Sequence, residues 1–553
     1  MGGTTLEGHG GALAVAVARR HGVEELFTLS GGHVFPLYDG AVKGDPPLRL
    51  VDVRHEQTAV FAAEATAKLL RRPGLAVLTA GPGVTNGVSA ITTAHFNGSP
   101  VLVLGGRAPT GRWGAGSLQE LDHPPLVATV TKHAGTVADV AEVADQVGKA
   151  LDLAAEPHRG PVFLDIALEA LFSQAEAELP DPAPADGREP DPDDLAAVAR
   201  LLGEAQRPVL VLGSDVWADR AEAAARRCAE TLRLPVVANG QGRGIVAPGT
   251  DGLLVTRARS LAFGEADLVV VAGAPLDFRL GYGSFGGRGG PPAKVVHLAD
   301  APGQLAGHVT LAGSVAGDLR LVLDGLTEAV TALPGARPDT TPWRERLRDR
   351  ARAAAEADRE LLENDADPIH PARVYGELRR VLADDAVVIG DGGDFVSFAG
   401  RFVEPARPGN WLDPGPYGCL GTGLGYAIAA RLARPSAQVV LLLGDGAAGF
   451  SLMDVDTLVR HRLPVAIVCG NNGIWGLEKH PMRMLYGYDV AADLQPQCRY
   501  DRVAEALGAG GELVTSPAEL GPALRRAFDA GGPYLVNVGT DPEVAYPRST
   551  SGL

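Results

Sequence analysis

Short runs of β-branched and other apolar residues recur along the whole chain, and between them apolar positions return at helical spacing. The clearest runs are LAVLTA (Leu75–Ala80), PVLVLGG (Pro100–Gly106) and PVFLDI (Pro161–Ile166), followed by PVLVLGS (Pro208–Ser214), DLVVVAG (Asp267–Gly273) and KVVHLAD (Lys294–Asp300). AVVIGDGG (Ala386–Gly393), QVVLLLGDG (Gln438–Gly446), PVAIVCGNN (Pro464–Asn472) and PYLVNVGT (Pro533–Thr540) complete the set. Near-continuous apolar strands that end in Gly, Asp or Asn predict parallel sheets covered on both faces, with ligands at the carboxyl ends. Two stretches break the pattern. Residues 173–193 are rich in Pro, Asp, Glu and Ala, and residues 333–368 join a Pro-containing turn to a charged helical segment. Read as linkers, they leave domains at 1–172, 194–332 and 369–553, each of ordinary size. The expected fold is three open parallel-sheet α/β domains. The glycine-rich Gly281–Pro292 reads as a mobile surface loop.

Composition narrows the functions. A formal net charge of −17 argues against nucleic acid or an anionic membrane surface as partner. The four cysteines, Cys228, Cys419, Cys469 and Cys498, form no CxxC pair, so neither a zinc site nor a disulfide framework is indicated. No apolar run approaches the ~18 residues of a membrane span. The first residues, MGGTTLEGHGG, lack the basic and apolar regions of a signal peptide, so a cytoplasmic location is expected.

The segment richest in chemistry begins at Gly444-Asp445-Gly446, which ends one apolar run; Asn471-Asn472 ends the next. Asp445 and Asn472 are 27 positions apart, room for a crossover helix (Leu452–Arg462) and a second parallel strand. That spacing sets a carboxylate and an amide side by side at the sheet edge. Mg²⁺ wants such oxygen ligands together with substrate phosphates, and glycines admit a diphosphate close to the backbone. An internal control exists: Gly390-Asp391-Gly392 also follows an apolar run, but 27 residues past Asp391 stands Gly418. Elsewhere, Glu56 follows a short strand (Leu48–Val53) and opens an apolar, Ala-rich helix, where helix capping alone could explain an acid.

With the RHE triplet at Glu56, the loop AGPGVTNGVSAI (Ala80–Ile91) and the segment GCLGTGLGYAIAA (Gly418–Ala430), the chain resembles thiamine-diphosphate enzymes. The resemblance is to the acetolactate synthase-like branch, along essentially the whole length. It implies that Asp445, the Asn472 side chain and the Ile474 carbonyl bind Mg²⁺, with Gly392, Gly393, Gly444 and Gly446 at the diphosphate. Pro82 and Asn86 fall at the pyrimidine end, and Leu420 where a bulky apolar residue keeps the cofactor bent. Glu56 matches the buried acid that hydrogen-bonds the aminopyrimidine and promotes loss of the thiazolium proton. In these enzymes the first and third domains of different subunits face each other, which implies a homodimer or homotetramer with the active site between chains.

Two residues bear on the branch. His33, in FTLSGGHVFPLYD, stands where acetolactate synthases usually carry a small residue and benzaldehyde lyase or 2-hydroxyacyl-CoA lyase-like relatives can carry histidine. It is read as a proton relay to the substrate oxygen. Gln119, in GSLQELDH, matches the family's pocket glutamine. Glu478 stands six residues past Asn472, where pyruvate decarboxylases keep an acid; the alternative is a surface glutamate paired with Lys479 or Arg483. The central domain of such enzymes holds FAD, ADP or the nucleotide end of CoA. Here AGAPLDFRLGYG (Ala272–Gly283) keeps Asp277 and Arg279 of the FAD-contacting pattern but has Pro275 in place of its first arginine. The implied activity is decarboxylation of a 2-keto acid such as pyruvate and carboligation to a second carbonyl. The alternative is cleavage of an acyloin or 2-hydroxyacyl-CoA. A decayed, non-catalytic thiamine-binding homologue is disfavoured by the presence of Glu56, Gln119, Asp445 and Asn472 together.

Overall fold

A computed structural model describes residues 4–183, 187–250 and 252–547. Each apolar run becomes a strand, and the strands assemble into three parallel sheets. The first holds six, in the order Arg49–Asp52, Glu25–Thr28, Gly74–Leu78, Val101–Arg107, Val162–Ala167, His133–Val137. The central sheet holds five: Val236–Ala238, Pro208–Leu212, Leu268–Ala272, Lys294–Ala299, Gly313–Ala316. The third again holds six: Trp411–Leu412, Val387–Asp391, Val439–Gly444, Ala466–Asn471, Tyr534–Gly539, Gly510–Val514. Strands such as Gly74–Leu78 and Leu268–Ala272 are buried at every position, as expected for sheets covered by helices on both faces. No helix among the described residues is long and apolar enough to cross a membrane.

Three local expectations change. The polar stretch after Ser173 is not simply a linker: Gln174–Leu179 pairs antiparallel with Thr4–His9. Its Ala and Leu positions alternate with exposed Glu and Gln, and Ala175, Ala177 and Leu179 lie against the first domain's core. Residues 184–186 of that stretch, like 1–3 and 548–553 at the chain ends, lie outside the described residues. The expected single crossover helix is broken into Asp445–Ser451, a turn at Leu452–Asp454 and Val455–Arg460. At the break the buried Asp454 turns to another domain: it accepts the Arg54 N–H at 2.8 Å and the Thr58 hydroxyl at 2.7 Å. In the third, the Gly281–Pro292 loop, Phe285 is buried against Phe263, with ring centres 4.8 Å apart.

The helix Glu56–Leu70 packs along Thr422–Ala433 of the third domain, so first and third domains share one apolar core. Close approach requires Gly425, where a Cβ would lie 2.7 Å from the Phe61 Cβ and 2.9 Å from the Thr58 carbonyl oxygen. A buried carboxylate between these helices needs several donors. Glu64 has them in Asn97 (2.7 Å), the Tyr426 hydroxyl (2.9 Å) and Ser99 (3.3 Å).

Candidate functional site

Strands Val439–Gly444 and Ala466–Asn471 pair in a register that sets Gly444 opposite Gly470. Asp445 and Asn472 therefore leave neighbouring strands at the same carboxyl edge. Asp445 is buried, with its carboxylate accepting the N–H of Gly473 at 2.7 Å and of Gly446 at 3.1 Å. Burial pushes its pKa up to about 6 against those backbone donors, and among the described residues no basic side chain pairs with it. The half-buried Asn472 turns its Oδ1 back to the Ile474 N–H at 3.2 Å. A carboxylate, an amide oxygen and a nearby carbonyl are hard donors without a cation of the protein's own. The set fits Mg²⁺.

Glycines bring three turns together around this edge. A Cβ on Gly446 would lie 2.5 Å from the Trp475 ring, and one on Gly393 2.5 Å from the Leu477 side chain. A Cβ on Gly392 would lie 3.2 Å from Ala447. Helices Asp394–Phe402, Asp445–Ser451 and Gly476–Tyr486 all begin here, so backbone N–H groups and helix dipoles favour a diphosphate. Asp391 of the other GDG has a different task. Its buried carboxyl, pushed up to about 7 by burial, accepts the N–H of Gly421 (3.1 Å) and Gly423 (2.8 Å). It thereby fixes the turn before Thr422–Ala433, on which the half-buried Leu420 sits.

The first domain assembles a second cluster. Glu56 is buried at the head of its helix, and His55, not Glu56, caps that helix through the Gln57 N–H. The Asn86 side-chain amide donates to Glu56 at 3.0 Å. Pro82 opens the helix that carries Asn86. The half-buried His33 lies 3.3 Å from the Thr79 hydroxyl, which in turn lies 3.4 Å from Gln119 Oε1. Burial is the main cause that lowers the His33 pKa from 6.5, with the Leu118 carbonyl opposing it, so the ring is neutral at pH 7. His33, Thr79 and Gln119 line a cleft of about 870 Å³ with Leu118, Leu168 and Phe172. Within one chain no hydrogen bond among the described residues links this cluster to Asp445.

Models of the thiamine pyrophosphate enzyme domains match the chain in order: the N-terminal TPP binding domain at 8–126, the central domain at 195–326 and the C-terminal TPP binding domain at 391–538. A probable acetolactate synthase of Mycobacterium bovis and an acetolactate synthase large subunit of Mycobacterium tuberculosis are each 48% identical over 553 residues, covering 98% of both chains. The chain belongs to the thiamine pyrophosphate enzymes. It is also 34% identical to a 2-hydroxyacyl-CoA lyase 2 of Caenorhabditis elegans, over 92% of this chain and 84% of that one.

In this thiamine pyrophosphate enzyme Glu478 is exposed, and neither neighbouring base is its partner. Lys479 pairs with Asp489 at 3.2 Å and with Asp493, and Arg483 with Asp489 and with Glu543 at 3.6 Å. The expected surface pairing is corrected by these competitors. Asp277 and Arg279 pair with each other at 2.7 Å on the rim of a cavity of about 590 Å³ at the carboxyl ends of the central strands. There His158 lies 2.9 Å from the buried Asp300, and burial with the Asp300 charge pushes Asp215 up to about 7. Sequence reading missed Thr79, His123, Asp165 and Trp475. Each is recognised only once distant strand ends meet; His123 alone left a trace, four positions past Gln119 in the same loop.

Proposed function

We propose that this thiamine pyrophosphate enzyme decarboxylates a 2-keto acid such as pyruvate and joins the remaining fragment to a second carbonyl. The observation that carries the reading is Asp445: a buried carboxylate with no cation of its own, beside Asn472 and Ile474 at a glycine-lined edge. Asp445, Asn472 and the Ile474 carbonyl hold Mg²⁺ in this reading, and Gly392, Gly393, Gly444 and Gly446 face the diphosphate. When bound, thiamine diphosphate supplies an acidic ring carbon that adds to carbonyls and accepts the electrons left by bond cleavage. Leu420 would lie against the rings of the bound cofactor, and Pro82 and Asn86 would sit at its pyrimidine. Glu56, held by Asn86, shares a proton with the aminopyrimidine. Gln119 orients substrate, and exposed Glu478 acts only if closure buries it. The acetolactate synthase relatives agree in name and in length.

Self-association supplies the missing juxtaposition of Glu56 with Asp445. Phe450 in the Asp445–Ser451 helix and Met453 just after it, each about half exposed, and Tyr417 at 44% are apolar surface suited to a second copy. Homodimer and homotetramer both satisfy it, in the cytoplasm. The central cavity is assigned to FAD, ADP or the nucleotide end of CoA, because Lys132 there, whose Nζ donates to the Glu156 carbonyl at 2.7 Å, pairs with no carboxylate among the described residues and suits a phosphate. Any flavin takes no part in turnover, since carboligation transfers no net electrons.

His33 favours a second reading, cleavage of an acyloin or 2-hydroxyacyl-CoA. Cleavage must remove the substrate hydroxyl proton, whereas loss of CO₂ needs no base there. With Mg²⁺ and thiamine diphosphate saturating, pyruvate should release CO₂ faster than an acyloin releases aldehyde; the reverse order selects the lyase. His33→Ala should reduce cleavage by about 10²–10⁴-fold and pyruvate decarboxylation far less. The pH profile follows the lowered pKa: His33 is a base above it, so cleavage falls only at pH values below the ordinary imidazole range. Equal loss of both activities would show that His33 serves a step common to them.

A further inference from the structure

Gly81, in the turn between strand Gly74–Leu78 and helix Pro82–Phe96, has φ +60° and ψ −112°, a backbone conformation open to glycine. A buried turn N–H needs an acceptor. The acceptor is the imidazole of His123, fully buried, whose Nε2 lies 2.9 Å from the Gly81 nitrogen. Because the Gly81 N–H donates, Nε2 carries the lone pair and the ring proton sits on Nδ1. That proton points to Asp165 Oδ2 at 2.8 Å. Asp165 is fully buried in strand Val162–Ala167 and also accepts from Arg107 at 2.8 Å and from the Thr136 hydroxyl at 2.6 Å. The chain Arg107–Asp165–His123–Gly81 thus admits one tautomer.

Its far end bears on the site. A Cβ on Gly81 would lie 2.9 Å from the Gln119 carbonyl oxygen and 3.0 Å from the Gln119 Cβ, so turn and loop are in close contact. Gln119 itself has φ +60°, a left-handed conformation that strains a non-glycine residue and persists only where its surroundings enforce it. Four residues on, His123 anchors the same loop to the turn.

We propose that His123, locked in its Nδ1–H tautomer by Asp165, is a positioning residue that clamps the Gln119 loop onto the Gly81 turn and so aims Gln119 at Thr79 and His33. The clamp rests on the proposed role of Gln119. His123→Leu removes the acceptor. Asp165→Asn allows the side-chain amide to donate to Nδ1, driving the ring proton to Nε2, where it meets the Gly81 N–H head-on. Thr136→Val also removes a hydrogen bond from Asp165 but leaves the tautomer alone.

The test compares these variants as holoenzyme, reading kcat and KM, thiamine-diphosphate affinity by calorimetry, and amide hydrogen exchange of the peptide covering residues 79–87. His123→Leu and Asp165→Asn should lose kcat by about 10²-fold, the scale of an ångström-level misplacement, with cofactor affinity within about threefold of wild type. Exchange in the 79–87 peptide should accelerate. His123→Gln, which offers both an acceptor and a donor, should recover most of kcat, and Thr136→Val should cost about threefold or less. Combined with Gln119→Ala, His123→Leu should add no further loss, because both act through one side chain. Wild-type kcat in His123→Leu, or losses that multiply with Gln119→Ala, would overturn the clamp. If His123→Leu does not fold, Asp165→Asn against Thr136→Val decides, and equal losses in that pair overturn it. A fully active Gln119→Ala would instead overturn the reading of the site itself.

Discussion

Asp445→Ala is expected to lose its cofactor. The carboxylate is the one charged group in the Asp445, Asn472 and Ile474 set proposed to hold Mg²⁺, and backbone N–H groups of Gly473 and Gly446 already hold it in place. Removing it leaves two neutral oxygens for a strongly hydrated dication. Outer-shell partners of metal sites are worth about 10–100-fold in affinity, so loss of a direct ligand should exceed about 10²-fold. Calorimetric titration with thiamine diphosphate and Mg²⁺ reads this directly, and wild-type affinity would remove Asp445 from the metal site. The pH dependence has a definite sign. With no cation bound the carboxyl titrates near 6, so protons compete with Mg²⁺ increasingly below that pH, and cofactor affinity should weaken there.

Glu56→Gln should separate binding from activation. Glu56 is buried beside Asn86 and, among the described residues, makes no hydrogen bond to the Asp445 edge within its own chain, so the variant should bind thiamine diphosphate as well as wild type does. A glutamine cannot exchange a proton with the aminopyrimidine. Exchange of the thiazolium ring proton should therefore slow by about 10²-fold or more. Proton NMR of quenched exchange samples measures the rate. An unchanged rate would mean that another group activates the cofactor.

The sheets were legible because strands buried on both faces are continuous apolar runs. Val439–Gly444 and Ala466–Asn471 announced themselves in this way, and with them the adjacency of Asp445 and Asn472. Elements whose form depends on distant partners were harder to read. Gln174–Leu179 has the composition of a linker and becomes a strand because Thr4–His9 pairs with it. The crossover helix breaks where Asp454 turns to Arg54 and Thr58, about 400 positions away. The RHE triplet is what singles out Glu56; spacing alone leaves it a helix cap, a task that His55 performs. Asp165 lies inside a strand that reads as plain core, 42 positions from His123, and only the parallel pairing of Val101–Arg107 with Val162–Ala167 brings Arg107 to it. Glu478 sits at the spacing of a catalytic acid, yet spacing carries no information about exposure.

This chain is proposed to build carbon–carbon bonds with thiamine diphosphate and Mg²⁺. Its most direct test is carbon-13 NMR of labelled pyruvate incubated with the purified protein, with both cofactors, with each alone, and after chelation of the metal. CO₂ release together with a new carbon–carbon bonded product, such as acetolactate, is expected only when both cofactors are present. Pyruvate left intact by the fully loaded protein would rule out a 2-keto acid substrate of this kind, and the same product appearing without thiamine diphosphate would rule out thiamine-dependent chemistry altogether.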